Sequence, residues 1–243
     1  MISRIQELVA IVPAAGIGAR MGAEIPKQYL MLNHQPILAH TLDVLLAHPR
    51  ITQVIIALNP EDNYFAKLVQ AAHPKLMTVI GGKERADSVL SALKAAPSDA
   101  WALVHDAARP CLSALDIDKL IVACETDVGA EQGAILAMPV RDTMKRSGEG
   151  GAIQETVCRE NLWHALTPQL FPVQSLKHNL NDALAADVAI TDEASAMEWA
   201  GGRPLLVSGR FDNIKVTHPD DLQLAALFLQ AAASDLISNT GEK

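Results

Sequence analysis

Strand-length apolar runs recur along this chain with helical stripes between them, and that alternation limits its fold more than any other feature. The runs are Leu8 to Val12, Val54 to Leu58, Met77 to Ile80, Ala102 to His105, Gly133 to Met138, Leu205 to Val207 and Ile214 to Val216. They are apolar nearly throughout, as strands are when both faces of a sheet are covered. Between them Leu38, Leu42, Leu45 and Leu46 carry the spacing of a helix lying on a sheet. Strands joined by helical crossovers predict an α/β fold built on a doubly wound, mostly parallel sheet. Thr217 to Asp220, with Pro219 between them, reads as a capping box opening a last helix that carries Leu222, Ala225, Ala226 and Leu229. A chain of 243 residues can cover such a sheet as a single domain, 1–243.

One segment breaks the rhythm. From Pro139 to Glu160, charged residues and glycines flank a short run at Thr156 and Val157, too polar to form core. A hairpin arm projecting from the sheet suits it, with Gly148 to Gly151 at the tip, where positive φ is needed.

Charge and cysteine usage narrow the function. Lys and Arg number 20 against 28 Asp and Glu, a net charge of −8, which argues against non-specific attraction to nucleic acid or anionic membranes. The longest uncharged stretches, Leu8 to Ala19 and Leu222 to Ser234, are too short to span a bilayer, and the N-terminus shows no signal-peptide pattern. Three cysteines without a C-x-x-C fit a reducing compartment, so a cytoplasmic protein is expected.

The chemistry gathers where predicted strands end. After the first come Ala14, Ala15, Gly16 and Gly18, then Arg20 and Lys27. Small residues let the backbone approach a ligand, successive amides can face phosphate oxygens, and the two cations neutralise what amides cannot. A dinucleotide fingerprint fails because Met21 replaces its third glycine, and the P-loop pattern is missing. A second glycine turn, Gly81-Gly82, leads through Asp87 and Ser88 into a helix, where Ser88 is a cap or a ligand donor. Asp106, Ala107 and Arg109 follow a strand at the sheet edge where ligands bind in open α/β folds. An aspartate there can hold Mg²⁺ already engaged by phosphates, with Arg109 as its counter-ion and His105 as a packed strand-end residue. Lys215, in the short run Ile214 to Val216, reads as a strand lysine in want of an anion. The eight histidines have no ligand spacing, and there is no nucleophile elbow.

Taken together, Pro13 to Met21 with Pro26-Lys27-Gln28-Tyr29, Gly82 to Ser88, His105 to Pro110, Pro139 to Arg146, Thr167-Pro168-Gln169, Thr191 to Ser195 and Asp212 to Thr217 resemble the 2-C-methyl-D-erythritol 4-phosphate cytidylyltransferases. The likeness runs from about Val9 to Leu229. The glycine loop with its Arg and Pro-Lys is common to many nucleotidyltransferases, whereas Asp-Asn-Ile-Lys-Val-Thr and Val-Arg-Asp-Thr-Met-Lys specify the cytidylyl enzymes. The resemblance implies transfer of a cytidylyl group from CTP to methylerythritol phosphate with Mg²⁺ and release of pyrophosphate. It implies Arg20, Lys27, Arg159 and Lys215 as catalytic, and Ala14, Ala15, Gly16, Gly18, Gly82, Asp87, Ser88 and Ala107 as nucleotide-binding. Thr143, Arg159, Thr167, Thr191 and Lys215 would hold the acceptor, and Asp106 the metal. It also implies a homodimer embraced through the 139–160 arm, with Thr143 and Arg159 acting in the partner's site. Cys158 stands where many members carry an aspartate. The rivals are a cytidylyltransferase for another polyol phosphate such as ribitol 5-phosphate, and a non-catalytic nucleotide-binding regulator. A nicotinamide-dependent oxidoreductase shares the sheet but lacks support in the glycine loop.

Overall fold

The structure is a computed structural model that describes residues 5–16 and 25–240, with backbone only over 235–240. β1 (Leu8–Pro13) precedes a small hairpin, β2 (Met31–Leu32) and β3 (Gln35–Pro36), and α1 (Ile37–Ala47). β4 (Ile51–Leu58), β5 (Leu76–Ile80), α2 (Arg85–Ala95), β6 (Trp101–Val104), α3 (Ala114–Cys124) and α4 (Asp127–Gln132) follow. β7 (Ala134–Pro139) leads into a second hairpin, β8 (Met144–Ser147) and β9 (Ile153–Val157). Then come β10 (Trp163–Pro172), α5 (Val173–Ala185), α6 (Glu193–Trp199), β11 (Leu205–Ser208) and α7 (Pro219–Thr240).

The main sheet runs β11-β7-β10-β6-β1-β4-β5, with every neighbour parallel except where β10 pairs antiparallel to β6 and β7. Successive side chains of a strand point to opposite faces, and β1 divides accordingly. Leu8, Ala10 and Val12 join one core with Leu38, Leu42, Ile117 and Leu120 of α1 and α3. Val9 and Ile11 join the other with Val89, Leu93, Leu176 and Met197 of α2, α5 and α6. Helices on both faces are what make the continuous apolar central strands affordable in water, whereas the edge strands β5 and β11 are not covered as expected and leave Met77, Ile80 and Leu206 exposed.

Two expectations need correction. Ile214 to Val216 is not a strand: Ile214 N–H turns back to the Asp212 carbonyl, and Val216 N–H donates to Ala108 O at 2.8 Å. That tie spends the backbone on the Asp106–Pro110 loop, so Lys215 projects from an irregular segment. At α7 the box lies one residue later, because Pro219 is the first helical residue and Asp221 accepts from the N–H groups of Thr217 and His218, both at 2.8 Å. The polar excursion is a hairpin, with Gly150 and Gly151 at φ 67° and 78° in its tip.

Candidate functional site

Four segments meet at the carboxyl edge of the parallel strands. The turn after β1 is held by Ala14 N–H donating to Ala57 O, and by the buried Gln28 amide, which donates to Ala14 O at 2.8 Å and Gly16 O at 3.1 Å. The Gly81-Gly82 turn lies against it. A Cβ on Gly81 would stand 2.5 Å from Ala15 Cβ, and one on Gly82 2.1 Å from Asp87 Cβ, so both positions need glycine for close approach. Ser88 clasps this turn, accepting from Gly82 N–H at 3.1 Å and donating to Glu84 O. Asp87 accepts from Glu84 N–H at 2.9 Å and thereby caps α2.

The third segment follows β6. His105 is fully buried: its Nε2–H donates to Arg109 O, and its Nδ1 accepts from the Thr167 hydroxyl at 3.0 Å. Thr167 Oγ1 in turn accepts from Asp106 N–H at 3.1 Å, which ties β10 to the end of β6. Burial pushes the His105 ring down to about 4, so it is a neutral strut. The fourth segment is the Asp212–Thr217 stretch, whose Asn213 amide donates to Thr167 O and whose Asn213 carbonyl accepts from Arg109 Nη1.

Asp106 sits at the centre. Arg85 Nε donates to its Oδ1 at 2.9 Å, Lys215 Nζ reaches Oδ2 at 2.8 Å, and Arg109 Nε lies 3.6 Å from Oδ2. Burial raises a carboxyl, yet Arg85, Lys215 and Arg109 outweigh it and hold Asp106 well below the usual carboxylate range. Arg85 also forks onto the buried Glu193, Nη1 to Oε1 at 2.7 Å and Nη2 to Oε2 at 3.1 Å.

Two clefts adjoin at Asp106, Arg85 and Lys215. One, of about 310 Å³, is lined by Ala14, Gly16, Lys27, Gly82, Ser88 and Ala107. The other, of about 230 Å³, is lined by Leu166, Thr167, Gln169, Thr191 and Asp192. The candidate nucleotide residues therefore fall on one side and two of the acceptor threonines on the other. Ala15 and Asp87 stand behind the first cleft as packing and cap. Thr143 and Arg159 are exposed on the arm and line neither cleft; the Arg159 guanidinium donates to Arg141 O. Gly18 and Arg20 lie outside the described residues.

Sequence reasoning passed over Arg85, Glu193 and Gln28. Arg85 stands in a Lys-Glu-Arg run that resembles a solvated helix start, and its partner Glu193 is 108 residues away. Among the described residues no three His, Cys, Asp or Glu side chains gather as a metal cage. Mg²⁺ does not require one, since one carboxylate with substrate phosphates and waters suffices. Asp106, ionised on the wall of both clefts with its oxygens shared by Arg85 and Lys215, can offer a carboxylate oxygen in that mode. Cys111 and Cys124 are buried thiols pushed up to about 12 by desolvation, unsuited to nucleophilic work.

The family model for 2-C-methyl-D-erythritol 4-phosphate cytidylyltransferase (IspD) matches residues 8–231. A protein of that name from Shewanella loihica is 88% identical over 242 residues, covering 100% of both chains. One from Shewanella pealeana is 72% identical over 228 residues, covering 94% of this chain and 97% of its own. A crystal structure described as 4-diphosphocytidyl-2C-methyl-D-erythritol synthase superposes with a TM-score of 0.78 at 36% identity, over 92% of this chain and 99% of that one. The Francisella tularensis 2-C-methyl-D-erythritol 4-phosphate cytidylyltransferase structure gives 0.76 at 34% identity, over 91% and 99%.

Proposed function

This chain belongs to the 2-C-methyl-D-erythritol 4-phosphate cytidylyltransferase family, and we propose that the paired clefts around Asp106 are where it works. It transfers a cytidylyl group from CTP to 2-C-methyl-D-erythritol 4-phosphate, giving 4-diphosphocytidyl-2-C-methyl-D-erythritol and pyrophosphate in isoprenoid precursor synthesis. The observation that carries the residue assignment is the junction itself, where a glycine-turn cleft and a threonine-lined cleft share Asp106 and Lys215.

In this reading the small residues of the first turn, Ala14, Ala15, Gly16 and Gly18, leave room for the triphosphate to approach the chain, while Gly82, Ser88 and Ala107 bound the cytidine. The acceptor phosphate oxygen attacks the α-phosphorus in line as the bond to pyrophosphate breaks. Charge spreads over the phosphoryl oxygens, so positioned cations do more than covalent help. Lys27 and Arg20 supply that charge on the nucleotide side. Lys215 with Thr167 and Thr191 orients the acceptor, joined by Thr143 and Arg159 from a partner's arm. Asp106 would hold Mg²⁺, which when bound neutralises charge on the triphosphate. Supporting the arm assignment, residues 139–160 carry cations on an exposed hairpin that lines neither of the two clefts, which suits a homodimer with composite sites. A cytoplasmic setting is supported by unpaired cysteines, and no helix among the described residues is long and apolar enough to cross a membrane.

The test is pyrophosphate release with CTP, ATP, GTP and UTP against methylerythritol phosphate and ribitol 5-phosphate, with and without Mg²⁺. Release confined to CTP, methylerythritol phosphate and Mg²⁺ is the expected outcome. Equal turnover with ribitol 5-phosphate would break the acceptor assignment, and full turnover in excess chelator the metal assignment.

A further inference from the structure

Arg85 has no role in the steps above, yet its side chain faces both clefts and joins two acids that lie 21 and 108 residues from it in sequence. The start of α2 does not need that side chain, because Asp87 caps the helix and Ser88 clasps the Gly82 turn. The guanidinium instead leaves α2 and spends its three nitrogens on Asp106 Oδ1 and both oxygens of Glu193.

Glu193 is the first residue of α6 and is 1% exposed. The same helix start is held from the other side by Gln169, which accepts from Ala194 N–H and donates to Asp192 Oδ2, both at 2.8 Å. Thr191, next to the Asp192 cap, opens on the acceptor cleft. Beyond Asp106 the chain of contacts continues to Lys215 at 2.8 Å. We infer that Arg85 is a positioning residue for the acceptor: its fork sets the spacing between Asp106 and the start of α6, and with it where Thr191 and Lys215 meet the acceptor phosphate.

A pair serving only to fill buried space needs no such shape, since apolar side chains of similar volume fill it as well. A rigid planar fork matters when two acids on different elements must be held at one distance. The side chain is also 28% exposed toward the clefts rather than sealed in the core.

The inference rests on the cytidylyl-transfer reading, and the experiment separates the two. Steady-state kinetics for both substrates and melting temperatures are measured for wild type and Arg85→Lys. An ammonium is a point charge that serves one acid at a time. Arg85→Lys is therefore expected to stay folded and to raise KM for CTP less than KM for the acceptor, while kcat/KM for the acceptor falls by about ten- to a hundredfold. A second variant, Arg85→Met with Glu193→Met, removes both members so that no buried charge is orphaned. It is expected to melt near wild type with the acceptor KM still raised. Wild-type acceptor kinetics in either variant, or an equal rise in both KM values, overturns the inference. Absent pyrophosphate release by the wild type would instead defeat the transfer reading itself.

Discussion

Lys27 rests its ammonium 3.2 Å from the Val216 carbonyl, on the wall of the glycine-turn cleft. On that wall the ammonium lies within the cleft proposed for the triphosphate, and a phosphate oxygen is a stronger acceptor for a cation than a neutral carbonyl. Lys27→Ala is expected to lower kcat by about a hundred- to thousandfold, the usual loss of one charged transition-state donor, with the melting temperature little changed. Lys27→Arg should recover only part, since a planar fork does not reproduce a point charge. His105 makes a different demand, this time on stability. Its ring titrates near 4 when folded because burial disfavours the charged form, against 6.5 for an ordinary histidine. Between those values the unfolded chain binds the extra proton, so stability rises with pH there. The contribution is complete above 6.5 and is lost as the pH falls through about 4, to a total of about 3 kcal/mol. Thermal melts of wild type and His105→Gln across that window check this: the variant, with no titrating ring, should show the flatter acid limb.

The glycine turns are where element geometry becomes function. With Gly81 packed so near Ala15, Gly81→Ala must push apart the turn after β1 and the turn before α2. Overpacking of this kind costs about 1–3 kcal/mol, or roughly 2–12 °C of melting temperature in a chain this long. Because the two turns form one wall, calorimetry should report that loss together with a raised KM for CTP; an unchanged KM would place the nucleotide elsewhere. The first of these turns was legible in the sequence because a buried strand followed by small residues has few other uses, and the second because paired glycines follow a strand-length apolar run. β10 was not legible. Trp-His-Ala-Leu-Thr-Pro-Gln-Leu-Phe-Pro has neither alternation nor an apolar run, since Thr167 and Gln169 are buried as polar struts that hold the Asp106 loop and the start of α6. Ile214 to Val216 failed in the opposite sense: a short run with β-branched residues on either side of Lys215 reads as a strand, but Val216 N–H is spent on Ala108 O. The Arg85–Glu193 fork was invisible for a simpler reason, as nothing local marks which acid a helix-start arginine will find on another helix of the same face.

At the scale of the whole molecule, the open question set by the fold is what the 139–160 arm does. Its strands are exposed except at the half-buried Val157, and they are tied to each other through Lys145 to Thr156 and Arg146 to Glu155. Arg159 and Thr143 belong to it, and neither lines either of the two clefts around Asp106. If they serve a substrate, they serve one bound to a partner, and closed twofold symmetry makes the exchange mutual. A chain with Arg159→Ala would then be defective through its arm and one with Lys27→Ala through its cleft. In a mixed dimer one site combines a sound arm with a sound cleft, while the other collects both lesions. Random exchange of equal amounts makes half the dimers mixed, each with one working site of two, so activity should recover to about a quarter of wild type. Native mass spectrometry verifies the exchange, and pyrophosphate release reads the recovery. Confirmed mixed dimers that stay inactive would show that Arg159 does not act across the interface.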